Sequence, residues 1–323
     1  MWWVEVGCGE VITTYLGCES PIVRPYGGQT IPCGGNGGTR VCDPYGSQLA
    51  NAILPGGFTE AHDVIGWELF EITKEAGLPT ELQPRHHFDS LIPVRVLQDM
   101  TRNSGGIIPD ADVTVALPPA SHEPNQPRVA ARPARKLFFD VKTIHRGGCH
   151  YSGGLNRRMQ SGAVMGRAQK VNRDYLRAAR NLDRRHSAAG TTPIEDRLKS
   201  FTDVRGLVFG AYGEASRDVH LLLGVCATKI AKKRWREMGA RTLEEARGFI
   251  IGQLRRRIGL VATEAMASHR LNRVPWIGVP RQAVVNRRTL AGAGGGARAD
   301  RDGVVDAQDF FAHQQRLIAA GGA

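Results

Sequence analysis

Two short acidic motifs in the middle of the chain carry side chains that could bind a metal ion and cleave a phosphodiester. Asp110 follows Pro109 just before one predicted strand, and Asp140-Val141-Lys142 lies near the end of the next predicted strand. Because side chains along a strand alternate with a period of two, Asp140 and Lys142 share one face. If the two strands are neighbours, Asp110 and Asp140 converge at one end of the sheet with Lys142 beside them.

Metal-assisted phosphodiester hydrolysis is the chemistry that fits this set of side chains. Two carboxylates form a hard oxygen site suited to Mg²⁺ or Mn²⁺. Such an ion lowers the pKa of a bound water, and Lys142 would orient that water or neutralise developing charge. The alternative is an ordinary structural ion pair between Asp140 and Lys142. Asp112 is a rival for Asp110, although we expect it to point away if Asp110 faces the site.

The elements that must position these residues indicate a single α/β domain with a mixed sheet flanked by helices. Apolar residues at helical spacing predict a helix that begins near Thr59 and ends at Gly77. Apolar runs and alternation predict the other elements: strands at 112–117, 136–144 and 204–212, and helices at about 163–186, 216–237 and 243–272.

Composition shifts divide the chain into four predicted segments. These are a Cys- and Gly-rich N-terminal segment (1–58), the α/β domain (59–240), a helical extension (241–285), and a Gly-rich linker with a short tail (286–323). No stretch has the roughly 20 consecutive apolar residues of a membrane helix. The first residues do not have the pattern of a signal peptide. We therefore expect no membrane association, and an intracellular, nuclear location.

The charge is concentrated in one part of the chain. Residues 128–190 contain fifteen Lys and Arg residues and three acids, an excess that equals the +12 of the whole chain. Such a region is typical of proteins that bind nucleic acid, and the alternative is a solvated basic surface. Most of the basic side chains of the predicted helix 163–186 lie off its apolar stripe: Arg167, Lys170, Arg173, Arg177, Arg180 and Arg184.

With their flanking elements, the Pro109-Asp110 and Asp140-Val141-Lys142 motifs resemble the PD-(D/E)XK, or restriction-endonuclease-like, nuclease superfamily. The chain is more closely similar to the nuclease region at the C-terminal end of non-LTR retrotransposon polyproteins, including reverse-transcriptase-associated reading frames of green algae. The likeness extends over about residues 33–280. The further matching positions are Cys33 and Cys42 with 43–46, His62-Asp63, Lys170 with Tyr175, and 206–214.

The resemblance implies a restriction-endonuclease-like sheet and a role for each matched residue. Asp110 and Asp140 would be metal ligands, Lys142 the catalytic lysine, and Lys170 a second candidate for that lysine. His62 matches an Arg-His-Asn/Asp position, and a helix-start or packing role is its alternative. The extra acid that some members use would be Glu68 or Glu71, for which solvated side chains are the alternative.

The chain departs from the family pattern at three places. Ala61 stands where a basic residue should precede His62. The cysteine/histidine knuckle lacks its histidine and its last cysteine, since Ser47-Gln48 and Ala52 occupy those positions. Two cysteines cannot close a four-coordinate zinc site, so we do not expect bound zinc, although Cys8 and Cys18 could contribute. No reverse-transcriptase segment is present, so the chain would be a detached fragment or a decayed copy.

An acidic stretch near the C-terminus is similar to a calcium-binding loop. Residues 300–309 place acids at positions three, five, nine and twelve of such a loop, but the first ligand position would be Arg298. A positive side chain there opposes cation binding. We therefore favour the capped start of a polar helix at this position.

The leading hypothesis from the sequence is a Mg²⁺- or Mn²⁺-dependent DNA endonuclease domain derived from a mobile element. Its substrate would be DNA or an RNA–DNA hybrid, bound largely through backbone phosphates. Two alternatives remain: a catalytically inactive nucleic-acid-binding remnant, and a structural or interaction protein in which Asp140 and Lys142 form an ordinary salt bridge. The sequence leaves the oligomeric state open.

Overall fold

The computed structural model describes residues 9–13, 16, 18–33, 38–52, 54, 59–100, 106–115, 135–145, 157–201 and 203–280. The acidic stretch at 300–309, the predicted linker and tail, and Cys8 lie outside these residues. The chain divides into two compact units. The terminal unit comprises Met1–Gly57 with Ala267–Ala323, and the central unit comprises Phe58–Met266.

The terminal unit is built around a short antiparallel hairpin. Strand β1 (Thr30–Pro32) pairs with β2 (Thr39–Val41), and the short helix α1 (Ser47–Ala50) follows. The side chains of Ile31 and Leu49 are buried in its core. Arg273 donates from Nη1 to three carbonyl oxygens in and just after α1, at Leu49, Ala50 and Ala52. A cation there satisfies carbonyls that a helix end leaves without partners.

The central unit contains one four-stranded mixed sheet and the helices that cover it. In chain order its elements are α2 (Thr59–Glu75), β3 (Thr80–Leu82), α3 (Val94–Met100), β4 (Ala111–Val115), β5 (Arg135–Thr143), α4 (Arg157–His186), α5 (Pro193–Ser200), β6 (Arg205–Phe209), α6 (Arg217–Arg234) and α7 (Leu243–Leu271), of which the last five residues belong to the terminal unit. The strand order is β3-β4-β5-β6. The first two pairings are antiparallel, and β6 runs parallel to β5.

The two faces of the sheet have separate hydrophobic cores because alternate strand residues point in opposite directions. Phe139 and Val141 of β5 pack in one core with residues of α2, α6 and α7. Phe138 packs in the other core with Val171 and Tyr175 of α4. The residues 241–266, predicted as the start of a separate extension, contribute Ala246, Ile250 and other residues to the first of these cores.

The mixed α/β class predicted from the sequence is confirmed. The long elements also agree with their predicted bounds to within a few residues, except that α4 begins at Arg157 rather than at 163 and β6 ends at Phe209 rather than at 212. In the central unit, the short elements β3, α3 and α5 were not predicted. Each is eight residues or shorter, which is too short to establish a clear hydrophobic period.

Candidate active site

Asp140 is the buried acid at the centre of the site. It lies on β5, on the face that packs against α4, and its side chain is only 3% exposed. Tyr175 donates its hydroxyl hydrogen to Asp140 Oδ1 across 2.8 Å, and Lys142 Nζ donates to the same oxygen across 2.9 Å. Oδ2 also lies 2.8 Å from Lys142 Nζ, but without the geometry of a hydrogen bond.

Asp110 is attached directly to the strand that carries Asp140. Its Oδ2 accepts the backbone N–H of Val141 across 2.6 Å and Nε2 of His62 across 2.9 Å. The antiparallel pairing of β4 with β5 explains this contact, because Ala111 stands opposite Phe139. The two acids and Lys142 therefore come together at the end of β5, as the sequence predicted from adjacent strands.

His62 is placed at the site by α2. Its Nδ1 lies 2.8 Å from Asp63 Oδ1, while its Nε2 contacts Asp110. Burial alone would lower the pKa of His62, but the hydrogen bonds to Asp110 and Asp63 outweigh burial and raise it to about 10. At neutral pH the ring is therefore an imidazolium that donates from both nitrogens. His62 therefore lies at the site as a cationic partner of Asp110.

The two carboxylates differ in their pKa because their partners differ. Burial raises the pKa of Asp110, but the hydrogen bond and charge of His62, with Lys142 and the Val141 amide, bring it below its ordinary value. Burial and the neighbouring Asp110 charge raise the pKa of Asp140, against the opposing effects of Lys142 and Tyr175. Burial and the charges of Asp140 and Asp110 also raise the pKa of Tyr175 well above its usual value, so its hydroxyl stays protonated.

The donor set fits a hard divalent cation. All hydrogen bonds of Asp110 within the described part of the chain fall on Oδ2, and those of Asp140 fall on Oδ1. Each acid therefore keeps one oxygen without a hydrogen-bond donor. No group of three or more His, Cys, Asp or Glu side chains suited to a metal ion occurs among the described residues. Two carboxylates suit Mg²⁺, which usually keeps several waters.

Two other candidate acids and one lysine take different positions. Glu68 forms an ion pair with Arg257 of α7, and its side chain is 17% exposed. Glu71 lies 3.7 Å from Lys74 on its own helix. Lys170 is exposed on α4, and no hydrogen bond or ion pair of the described residues joins it to either aspartate. Glu68 and Glu71 thus have partners other than the two aspartates, and Lys142 is the lysine that lies beside the acids.

Asp112 belongs to a separate buried cluster. Its Oδ2 accepts His87 Nε2 across 2.8 Å and Lys136 Nζ across 3.1 Å. Burial lowers the pKa of His87, and the neighbouring His86 and Lys136 lower it further, against the hydrogen bond to Asp112, which raises it. Asp112 stands opposite Phe138, two residues before Asp140 on β5, so it lies on the same face of the sheet as Asp140, and the expectation that it points away is wrong. Its partners are His87 and Lys136 rather than the residues of the site.

Tyr175 is a side chain of the site to which the sequence assigned no role. It was named only as a position that matches the resemblance. Its hydroxyl also lies 3.2 Å from the carbonyl oxygen of Ile108. A tyrosine in an apolar stripe is a signal that a polar atom needs a buried partner, but the stripe does not identify that partner.

The basic side chains of α4 divide into paired and unpaired groups. Asp174 pairs with Arg167 and Arg177, and Glu195 pairs with Arg180. Arg184 donates to Asn181 on its own helix. Three of the six side chains predicted to contact nucleic acid are exposed with no ion pair among the described residues: Lys170, Arg173 and Arg184.

The hairpin of the terminal unit separates the two cysteines of the degenerate knuckle. Cys33 stands opposite Gly38, whereas Cys42 donates its N–H to Gln29 at the other end. The two positions are about 13 Å apart along the hairpin at the usual strand rise. Both thiols are buried in the apolar core, and burial with the Asp43 charge raises the pKa of Cys42 to about 11. In this register the two cysteines do not share a metal ion.

Comparisons with protein-family models, with curated proteins and with solved structures found no match to this chain. In the part of the chain that the structure describes, none of the helices combines the length and the apolar character needed to cross a bilayer.

Proposed function

We propose that the central unit is a metal-dependent DNA endonuclease domain of the PD-(D/E)XK type, related to retrotransposon nucleases. The observation that carries the proposal is the convergence of Asp110, Asp140 and Lys142. The Asp110 carboxylate is bound to the backbone of Val141, and Lys142 pairs with Asp140. The order of a helix, three antiparallel strands, a helix and a parallel strand supports the finer fold assignment.

Each residue of the site has a role in the proposed reaction. Asp110 and Asp140 would hold Mg²⁺ or Mn²⁺, which supplies an activated water and stabilises charge on the phosphoryl group. Lys142, with a side chain 32% exposed, reaches the solvent-facing side and would hold the nucleophilic water or neutralise the developing charge. His62 compensates the charge of Asp110.

The basic face of α4 supports DNA as the substrate. Lys170 and Arg173 are exposed on α4, the helix that also carries Tyr175. One helix therefore contributes both exposed cations and a side chain that contacts Asp140. Contacts of this kind to backbone phosphates fix the position of a duplex without reading its sequence. An RNA–DNA hybrid presents the same phosphates.

One observation favours a second candidate, a nucleic-acid-binding remnant without catalytic activity. Lys142 Nζ lies within 3 Å of both oxygens of Asp140, at 2.9 and 2.8 Å. A lysine held this closely neutralises a buried acid, and in the inactive remnant that would be its whole role. In that case the basic surface would bind DNA while the acids would bind no metal.

A plasmid-nicking assay separates the two candidates. We expect supercoiled DNA to be nicked in Mg²⁺ or Mn²⁺ and not in chelator, and we expect Asp140→Ala and Lys142→Ala to lower the rate by about 10²–10³-fold. Lys136→Ala is the matched control, because Lys136 lies on the same strand but pairs with Asp112. If wild-type protein binds DNA in a salt-sensitive manner but never nicks it, the inactive remnant is the correct function.

A further inference from the structure

The Tyr175 hydroxyl contacts both segments that carry the acids. It lies 2.8 Å from Asp140 Oδ1 and 3.2 Å from the carbonyl oxygen of Ile108, which precedes Pro109 and Asp110. A phenol has one hydrogen to donate, and donation to a carboxylate is the stronger, charge-assisted bond. The shorter contact is therefore the donated bond, and the Ile108 carbonyl stands close beside it.

The Asp140 carboxylate has an asymmetric environment as a result. Oδ1 accepts from both Tyr175 and Lys142, whereas the buried Oδ2 accepts no hydrogen bond. Two donors on one oxygen restrict rotation of the carboxylate about its own axis. They also leave Oδ2, which Lys142 Nζ approaches to 2.8 Å without a hydrogen bond, as the oxygen that a divalent cation would bind. Lys142 is flexible and about one-third exposed, so the rigid donor is Tyr175.

We propose that Tyr175 is a positioning residue that fixes the orientation of the Asp140 carboxylate, and its placement relative to the Asp110 segment, for binding a divalent cation. The inference rests on the proposed function of the same site. Groups that orient metal ligands through hydrogen bonds are commonly worth 10–100-fold in metal affinity. Tyr175 would act through Asp140 and would not touch the metal.

Isothermal titration of the full chain with Mg²⁺ alone, repeated with Mn²⁺, tests this role. Tyr175→Phe removes only the hydroxyl and keeps the ring in the core between α4 and the sheet. We expect its dissociation constant for Mg²⁺ to rise 10–100-fold while its melting temperature stays near that of the wild type. Tyr175→Met is a second variant that fills the same core without a hydroxyl, should the phenylalanine variant fold poorly.

Leu182→Ala is the matched control for effects of packing. Leu182 is buried on the same stripe of α4, in the same core as Tyr175, and has no hydrogen-bonding group. We expect this variant to have a lower melting temperature and an unchanged dissociation constant for Mg²⁺. If the Tyr175 hydroxyl has only a structural role, Tyr175→Phe should likewise have a lower melting temperature and an unchanged dissociation constant for Mg²⁺. That result would overturn the inference.

The variant Asp140→Asn distinguishes failure of this inference from failure of the proposed function. If wild-type protein binds neither Mg²⁺ nor Mn²⁺, or if Asp140→Asn binds them as well as the wild type, the proposed function and the inference both fail. If Asp140→Asn loses binding while Tyr175→Phe and Tyr175→Met keep the wild-type affinity, only the positioning role fails.

Discussion

The buried acids of the central unit differ in how fully their oxygens are satisfied. Asp183 accepts the backbone N–H groups of Ile194 and Glu195 and the hydroxyl of Ser187, using both of its oxygens. Both oxygens of Glu195 accept Arg180 Nε. Asp140 has the raised pKa and an oxygen with no hydrogen bond. A buried carboxylate oxygen that accepts no hydrogen bond destabilises the folded state. An acid with such an oxygen and a shifted pKa is therefore a candidate functional residue.

The Glu195 ion pairs should make stability depend on pH in the acid range. Lys199 and Arg180 lower the pKa of Glu195 against burial, which raises it. The ionised Glu195 side chain therefore stabilises the folded state fully above the pKa it has in the unfolded chain, about 4.3. This stabilisation is lost as pH falls through the lower pKa that Glu195 has in the folded protein. Urea denaturation should show Glu195→Gln less stable than wild type by about 1–3 kcal/mol at pH 7, with a smaller difference near pH 3.

Glu237→Gln is the control for this pH dependence. The Glu237 side chain is 73% exposed and lies 3.9 Å from Arg234, so its removal should change stability by at most a few tenths of a kcal/mol at either pH. A difference for Glu195→Gln that stayed constant from pH 7 to pH 3 would contradict the assigned role of Glu195.

Only part of the site could be predicted at the residue scale. Asp110, Asp140 and Lys142 were predictable because strand periodicity and neighbouring strands suffice to bring them together. The partners of Tyr175 and Glu68 depend on how α4 and α7 pack, which a single sequence does not specify. The degree of exposure of Lys170 depends on the same packing.

At the scale of elements, the close packing of α4 on β6 requires a glycine. A Cβ atom at Gly206 would lie 2.9 Å from Ala168 Cα and from Val171 Cγ2. Gly206 stands opposite Asp140 in the parallel pairing, so this contact also sets the height of α4 above the site. The long elements were predictable from their periods, but this contact was not, because a glycine in a strand has several explanations.

Substitution of two glycines by alanine should have opposite effects on stability. Gly206→Ala should lower the free energy of unfolding by about 1–3 kcal/mol, because backbone of α4 blocks the new methyl group. Gly166→Ala should raise it by about 0.5–1 kcal/mol, because Gly166 lies in α4 with open space around it. Urea denaturation of both variants measures this, and a neutral Gly206→Ala would refute the close approach.

At the scale of the whole molecule, the net charge follows directly from the sequence, whereas the pairing of individual charges does not. The chain carries +12, and exposed cations of α4 lie on the same helix as Tyr175. The pairing of Arg167, Arg177 and Arg180 with acids could not be predicted, because it depends on where Asp174 and Glu195 come to lie. Fewer cations are therefore available to phosphates than the sequence alone suggested.

The salt dependence of DNA binding tests which cations contact phosphates. Lys170→Ala and Arg173→Ala should each weaken binding to duplexes of any sequence, and each should reduce the slope of log Kd against log salt by about 1. Lys232→Ala and Arg236→Ala remove the same charges from the C-terminal end of α6 and its flank, and they serve as controls. Equal slope changes in both pairs would show that α4 has no special role.

The bonds from Arg273 to the carbonyls of α1 have a consequence for biosynthesis. The first 57 residues share their unit with residues from 267 onward, and the central unit is the continuous segment between them. At ribosomal rates of about 5–20 residues per second, the hairpin emerges roughly 10–40 s before its arginine is made. The hairpin is therefore made before the central unit, but its contacts with Arg273 can form only after the central unit has been translated.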